Sequence, residues 1–151
     1  MSPVFNTHLP VALGCDHAGF TYKEATKYWL QANGFTVQDF GTFGEASVDY
    51  PDFAHPTANA VETNTCCFGI LFCGSANGVA ITANKHQSIR AGLCWNNEVA
   101  QLVRLHNNAN VICIPARFVT IEEALQMVET FATTAFEGGR HANRVDKISC
   151  S

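Results

Sequence analysis

Hydrophobic and polar positions along this chain follow two rhythms. Short, nearly unbroken apolar runs recur at VALGC (Val11–Cys15), FGILFC (Phe68–Cys73), IRAGLCW (Ile89–Trp95) and NVICIP (Asn110–Pro115). Continuous apolar character over so few residues marks strands buried on both faces of a parallel sheet. FTVQDF (Phe35–Phe40) alternates instead, as a strand at a sheet edge does. Between the runs lie segments with helical spacing: Tyr22–Gly34, Ala54–Thr63, about Asn77 to His86, Asn96–Asn108 and Thr120–Phe136. Gly34 suits a helix end, Asn96 a helix cap, and Thr120 with Glu123 a capping box. Strand followed by helix, five times, predicts a three-layer α/β/α fold. The sheet would be a doubly wound, mainly parallel five-stranded sheet, Rossmann-like, in a single domain over residues 1–151. The polar segment GTFGEASVDYPDF (Gly41–Phe53) is long for a connection in a compact domain, which points to function.

Composition narrows the choice without changing the fold. Of 151 residues, 47% are hydrophobic and 15% charged, which excludes a disordered chain. The net charge of −4 argues against a broad nucleic-acid surface but leaves room for a local anion pocket. No apolar run approaches the ~20 residues of a membrane span. MSPVFNTHLP has no signal-peptide pattern, so a cytoplasmic protein is expected. The seven cysteines show no CxxC spacing and no paired Cys/His pattern. Most read as reduced, buried small hydrophobes, and neither a disulfide framework nor a structural metal is expected.

Ligands in such sheets bind beyond the carboxyl ends of the strands. The first strand is followed by Cys15-Asp16-His17, and the polar segment after the second contains Asp49-Tyr50-Pro51. The third is followed by Cys73-Gly74-Ser75-Ala76-Asn77-Gly78, the fourth ends at Trp95-Asn96-Asn97, and Pro115-Ala116-Arg117 follows the fifth. An Asp there is often only a helix cap, and a lone His is often structural. Five strand ends together nevertheless supply an acid, an imidazole, a phenol, a thiol, a hydroxyl and a guanidinium on one expected rim. RLHNNAN adds His106 and Asn107 at a helix end. EGGRHANR adds Arg140 and Arg144 on one helical face after two glycines. Paired guanidinium groups suit a phosphate, and they equally suit a solvated terminal helix.

The loop after Cys73 fits no common thiol or phosphate motif. Val79 stands where a cysteine phosphatase has arginine, and Ala76 stands where a CxxC pair has its second thiol. Gly78-Val79-Ala80 lacks the Gly-Lys-Ser/Thr of a P-loop. What remains is a run of backbone N–H groups leading into a helix, beside a thiol and a hydroxyl. Such a loop holds an anion that forms during a reaction. The helix dipole is expected to lower the Cys73 pKa below its free value of about 8.5.

The segments GCDHAGF, DYP, CGSANGVAITANK, IRAGLCW, LHNNANV and EGGRHANRV, in this order and over about Val11 to Ile148, resemble the type B ribose-5-phosphate isomerases. These are relatives of galactose- and allose-6-phosphate isomerases. The resemblance implies a cofactor-free aldose–ketose isomerisation through a cis-enediolate. Cys73 would be the base between C2 and C1, with Ser75 moving the O1/O2 proton. The N–H groups from Gly74 through Asn77, Gly78 and Val79 would hold the oxyanion. His106 would open the sugar ring with Asp16 as helper, and His17, Arg117, Arg140 and Arg144 would bind phosphate. Tyr50 and Asn107 would hold sugar hydroxyls. The resemblance further implies a homodimer, or a tetramer, with shared active sites. His106 and the segment of about residues 137–148 would then meet Cys73 across the interface.

Two positions, Ala76 and Pro115, depart from the family pattern. Ala76 replaces a common Gly, at about 1 kcal/mol if the site needs positive φ. Pro115 also replaces a common Gly and should stiffen its turn. Val79 stands where a cysteine-less branch carries a glutamate base, so Cys73 has no substitute. Three other readings remain open: an isomerase of a hexose 6-phosphate, a non-catalytic sugar-phosphate-binding module, and a redox thiol protein drawing on Cys66-Cys67.

Overall fold

The computed structural model describes residues 1–150. Five strands form one wholly parallel sheet: β1 (Val11–Cys15), β2 (Val37–Asp39), β3 (Gly69–Cys73), β4 (Ala91–Leu93) and β5 (Val111–Pro115), in the order β2-β1-β3-β5-β4. Every residue of β1, β3 and β5 is buried, which is why these strands read as continuous apolar runs. The two edge strands have only three residues each, fewer than their sequence patterns predict. Phe35 N–H is captured by Leu30 C=O at 3.0 Å, so the chain leaves the first helix in a turn before pairing begins.

Six α-helices cover the sheet: α1 (Phe20–Ala32), α2 (Pro51–Glu62), α3 (Asn77–Ala83), α4 (Asn97–Asn107), α5 (Ile121–Thr133) and α6 (Arg140–Asp146). Alternate β1 residues explain the layers. Val11, Leu13 and Cys15 pack with Leu30 of α1, Ala100 of α4 and Met127, Val128 and Phe131 of α5. Ala12 packs on the other face with Ala54, Ala58 and Val61 of α2 and Val79 and Ala83 of α3. This is the expected three-layer, doubly wound arrangement. Asn96 caps α4 through Val99 N–H (2.9 Å), and both halves of the Thr120/Glu123 capping box form (2.9 and 3.1 Å).

Several boundaries differ from the sequence expectation for local reasons. α2 starts at Pro51, with Tyr50 as its cap residue, so the polar loop ends at the DYP motif. Proline suits the first helical position because its missing N–H would have had no partner there. α3 stops at Ala83, because Asn84 turns the chain by bonding Ala91 in both directions (2.8 and 2.9 Å). A short 3-10 turn over His17–Gly19 precedes α1.

One charged residue lies wholly in the interior. Lys23 is 0% exposed, and its ammonium contacts Asp39 at 2.6 Å and Glu24 at 2.7 Å. Lys27 reaches the same Asp39 oxygen at 2.9 Å. Burial works against the Asp39 carboxylate, yet the bonds from Lys23, Lys27 and Gly41 N–H hold its pKa below the usual value. The cluster ties edge strand β2 to α1.

Candidate active site

The strand order reverses between β1 and β3, and a cleft of about 330 Å³ opens beyond their carboxyl ends. Asp16, His17, Tyr50, Cys73, Gly74, Ser75, Gly78 and Arg117 line it, together with Ala18. Four strand ends therefore meet as expected. The end of β4 does not: Trp95 is exposed and borders no part of this cleft.

Cys73 ends β3, where it pairs with Pro115 and passes its carbonyl to Ala116 N–H (3.0 Å). Burial pushes its thiol pKa above the ordinary value, and the Asp16 carboxylate adds to the rise. The N–H groups of Val79, Ala76 and Gly78 pull the other way without overcoming burial. The expected lowering by the helix therefore fails on the depth of the sulfur. Cys15 and Cys94 are pushed up to about 12 and Cys66 to about 11, chiefly by burial. Cys66 also contacts Gln38 (3.5 Å), which leaves the redox reading little support.

The loop after Cys73 is shaped by its small residues. Ala76 has φ +64° and is 0% exposed, so an L side chain occupies a backbone state that favours glycine. Close approach requires glycine at position 78 and leaves position 74 tight. A Cβ on Gly74 would lie 3.2 Å from the Arg117 side chain, and one on Gly78 would meet the Tyr50 ring at 2.5 Å. Arg117 and Tyr50 thus lie directly on the loop. Arg117 N–H is also anchored to Gly74 C=O at 3.0 Å. Ser75 Oγ accepts from both Asn77 nitrogens (3.3 and 3.4 Å), which leaves the hydroxyl proton free to point elsewhere. Val79 is buried in the core beneath the loop.

Asp16 is a cap that also borders the cleft. Its Oδ1 accepts from Ala18 N–H (3.0 Å) and Gly19 N–H (3.2 Å). His17 Nδ1 accepts from Val48 N–H at 3.2 Å. That bond puts the proton of the neutral imidazole on Nε2.

The remaining expected residues lie elsewhere. His106, Asn107 and Arg144 line a second cleft of about 360 Å³ with His141, Val145 and Ile148. Arg140 begins α6 and is exposed. Within one chain these residues do not join the Cys73 cleft. His141, which no sequence motif singles out, stacks its ring on His106 with centroids 4.3 Å apart and planes at 15°. Its Nε2 lies 3.9 Å from Glu137, and burial together with His106 lowers its pKa. The available signal was an i,i+4 Glu137/His141 pair inside EGGRHANR.

Fold and cleft define a doubly wound α/β domain with a thiol and an amide-lined loop at its switch point. The family model described as Ribose/Galactose Isomerase matches residues 11–148. The ribose-5-phosphate isomerase B of Escherichia coli is 40% identical over 139 residues, covering 92% of this chain and 93% of that protein. A crystal structure of a ribose 5-phosphate isomerase from Thermotoga maritima superposes with a TM-score of 0.91 at 44% identity, covering 94% of this chain and 98% of that one. Ribose-5-phosphate isomerase B from Mycoplasma genitalium, solved with bound ribulose-5-phosphate, superposes with a TM-score of 0.90 at 40% identity, covering 95% of both chains. The chain belongs to the ribose/galactose isomerase family and is an isomerase. Among the described residues, no helix is long and apolar enough to cross a membrane.

Proposed function

We propose that this isomerase interconverts ribose 5-phosphate and ribulose 5-phosphate through a cis-enediolate, with Cys73 as the base. The carrying observation is the single cleft lined by Cys73, Ser75, Asp16, His17, Tyr50 and Arg117 at the switch point. Membership of the family and the relative solved with ribulose-5-phosphate support the substrate class.

The chemistry follows from the groups present. The Cys73 thiolate takes the proton from C2 of the open-chain aldose. The electron pair moves into C1–C2, and the C1 carbonyl oxygen becomes the enediolate oxygen. N–H groups from Gly74 to Val79 hold that oxygen, and a preorganised donor of this kind contributes about 3–4 kcal/mol in comparable sites. Ser75 carries the proton from O2 to O1, for which its free hydroxyl proton suits it. The thiol then returns its proton to C1, giving the ketose and regenerating the thiolate. His17 and Arg117 bind phosphate, and Tyr50 holds sugar hydroxyls.

The second cleft completes the reading if two chains share each site. His106, helped by Asp16, opens the furanose ring, Asn107 holds hydroxyls, and Arg140 and Arg144 add phosphate ligands. The separation of the two clefts within one chain supports a homodimeric site of this kind.

A coupled assay for ribulose 5-phosphate formation, run beside allose 6-phosphate and with and without chelator, tests the assignment. Turnover of the pentose well above the hexose, unaffected by chelator, is expected. Preference for the hexose overturns the substrate, and loss on chelation overturns the metal-free chemistry.

A further inference from the structure

Outside the lining of both clefts, three side chains form a second histidine cluster. His55 sits on α2, Glu62 ends α2, and His86 follows α3. His55 Nδ1 and His86 Nε2 lie 2.8 Å apart. His86 Nδ1 lies 3.4 Å from Glu62 Oε1, and the other carboxylate oxygen accepts from Ser88 N–H at 2.8 Å. None of these residues lines the Cys73 cleft or the His106 cleft.

We propose that His55 and His86 form a surface site for a late first-row divalent cation, with zinc as the probe and water completing the shell. Three features carry this. First, two ring nitrogens from different elements face each other at 2.8 Å, close enough for one ion to be bound between them once they part. Second, the Glu62 carboxylate lies 3.4 Å behind the outer nitrogen of His86 and favours the tautomer with Nδ1–H, in which Nε2 presents a lone pair. A carboxylate–imidazole–metal line is the usual support for a histidine ligand. Third, the rings are tilted by 51° with centroids 5.1 Å apart, so edges meet rather than faces.

The other candidate cluster lacks that aim. The ligand atoms of His106, Glu137 and His141 lie within 4.8 Å of one another. Yet its two rings are stacked at 15°, which turns faces rather than lone pairs together.

The binding step balances simply. In the ion-free form, His55 Nδ1–H donates to His86 Nε2. Water exchanges the His55 proton from Nδ1 to Nε2, giving two neutral ligands with no net proton released. Tetrahedral Zn–N bonds of about 2.0–2.1 Å then need the nitrogens about 3.3 Å apart. Binding therefore needs an opening of about half an ångström and a turn of each ring by about 35°, so that both lone pairs aim at one point beside the present N···N line, motions open to two side chains that are not fully buried. His55 is exposed and His86 half-buried, so solvent and ion can enter. The ion would tie α2 to the segment following α3. The proposal does not rest on the isomerase assignment.

Calorimetric titration with ZnCl2, alongside anomalous diffraction from crystals soaked in ZnCl2, tests it. Wild type should show a zinc peak about 2.0–2.3 Å from both His55 Nδ1 and His86 Nε2. His55→Ala and His86→Ala should each lose one site from the isotherm. Glu62→Gln should weaken that site about 10–100-fold, while His141→Ala leaves it unchanged. Saturating zinc should raise the Tm of wild type by several degrees but not that of His55→Ala. Turnover of ribose 5-phosphate should be the same in His55→Ala and wild type, which separates this site from the catalytic one. Identical isotherms for wild type and both histidine variants, or a peak only at His106/His141 or at a thiol, overturn the proposal.

Discussion

The Cys73 and His106 clefts are built from opposite materials. The first stands on buried strand ends, with its loop pinned by Arg117 on Gly74 and Tyr50 on Gly78. The second stands on the end of α4 and the short helix α6, where Asn107 and Arg144 are exposed. The first holds the groups suited to carbon–proton chemistry, and the second holds imidazoles and a guanidinium with little to act on. The proposed two-chain site would join these two halves, one set on the sheet and one set on helix ends.

Cys73→Ala breaks the first half and has the largest expected effect. A positioned base contributes about 10²–10⁴-fold, and Val79 offers no replacement. The coupled assay should therefore find nearly all activity gone, and retention of more than a few per cent removes Cys73 as the base. His106→Ala should cost less, since sugar rings open slowly unaided. Mixing the Cys73→Ala and His106→Ala proteins sharpens the contrast. If each site draws on two chains, random re-pairing restores about a quarter of wild-type sites. Activity no greater than the sum of the two separate variants, after denaturation and joint refolding to force exchange, overturns the shared site.

The raised Cys73 pKa sets the next test. Only the thiolate abstracts a proton, and burial favours the neutral thiol. As pH rises the thiolate fraction grows, so kcat/KM should still be climbing above the ordinary thiol range of about 8.5. A plateau reached near neutrality would show that substrate or partner chain lowers the pKa. Acid acts on a different region. The folded pKa of Asp39 is lowered, so its contribution to stability is present above the unfolded carboxylate value of about 3.9 and is lost as pH falls through the folded one. Asp39→Asn should flatten the acid end of a denaturation-versus-pH curve. The smallest effect belongs to Ala76→Gly. Relief at φ +64° should raise stability by up to about 1 kcal/mol in urea denaturation.

How much of this was legible depends on whether the cause is local. β1 matches its apolar run residue for residue, and the caps at Asn96 and Thr120 form because the donor and acceptor lie within one turn. The insertion of β5 between β3 and β4 depends on packing that no single segment encodes. Residue types at the strand ends pointed to one rim, and six of those side chains share it. Trp95 does not, because β4 is a short edge strand away from the switch point. The direction of the Cys73 pKa was missed because sequence displays the helix that follows but not the depth of the sulfur. His141 was missed because its meaning lies in the ring it stacks on.

The three-residue edges have a consequence for the crowded state. A foreign strand seeking to extend the sheet at β2 or β4 finds a ladder three residues long. Short edges of that kind give templated aggregation little backbone to copy. At β2 the approach is hindered further by Lys27 and the Asp39 it binds. Any self-association would then fall to helix surfaces, where side chains rather than backbone decide which partner is accepted.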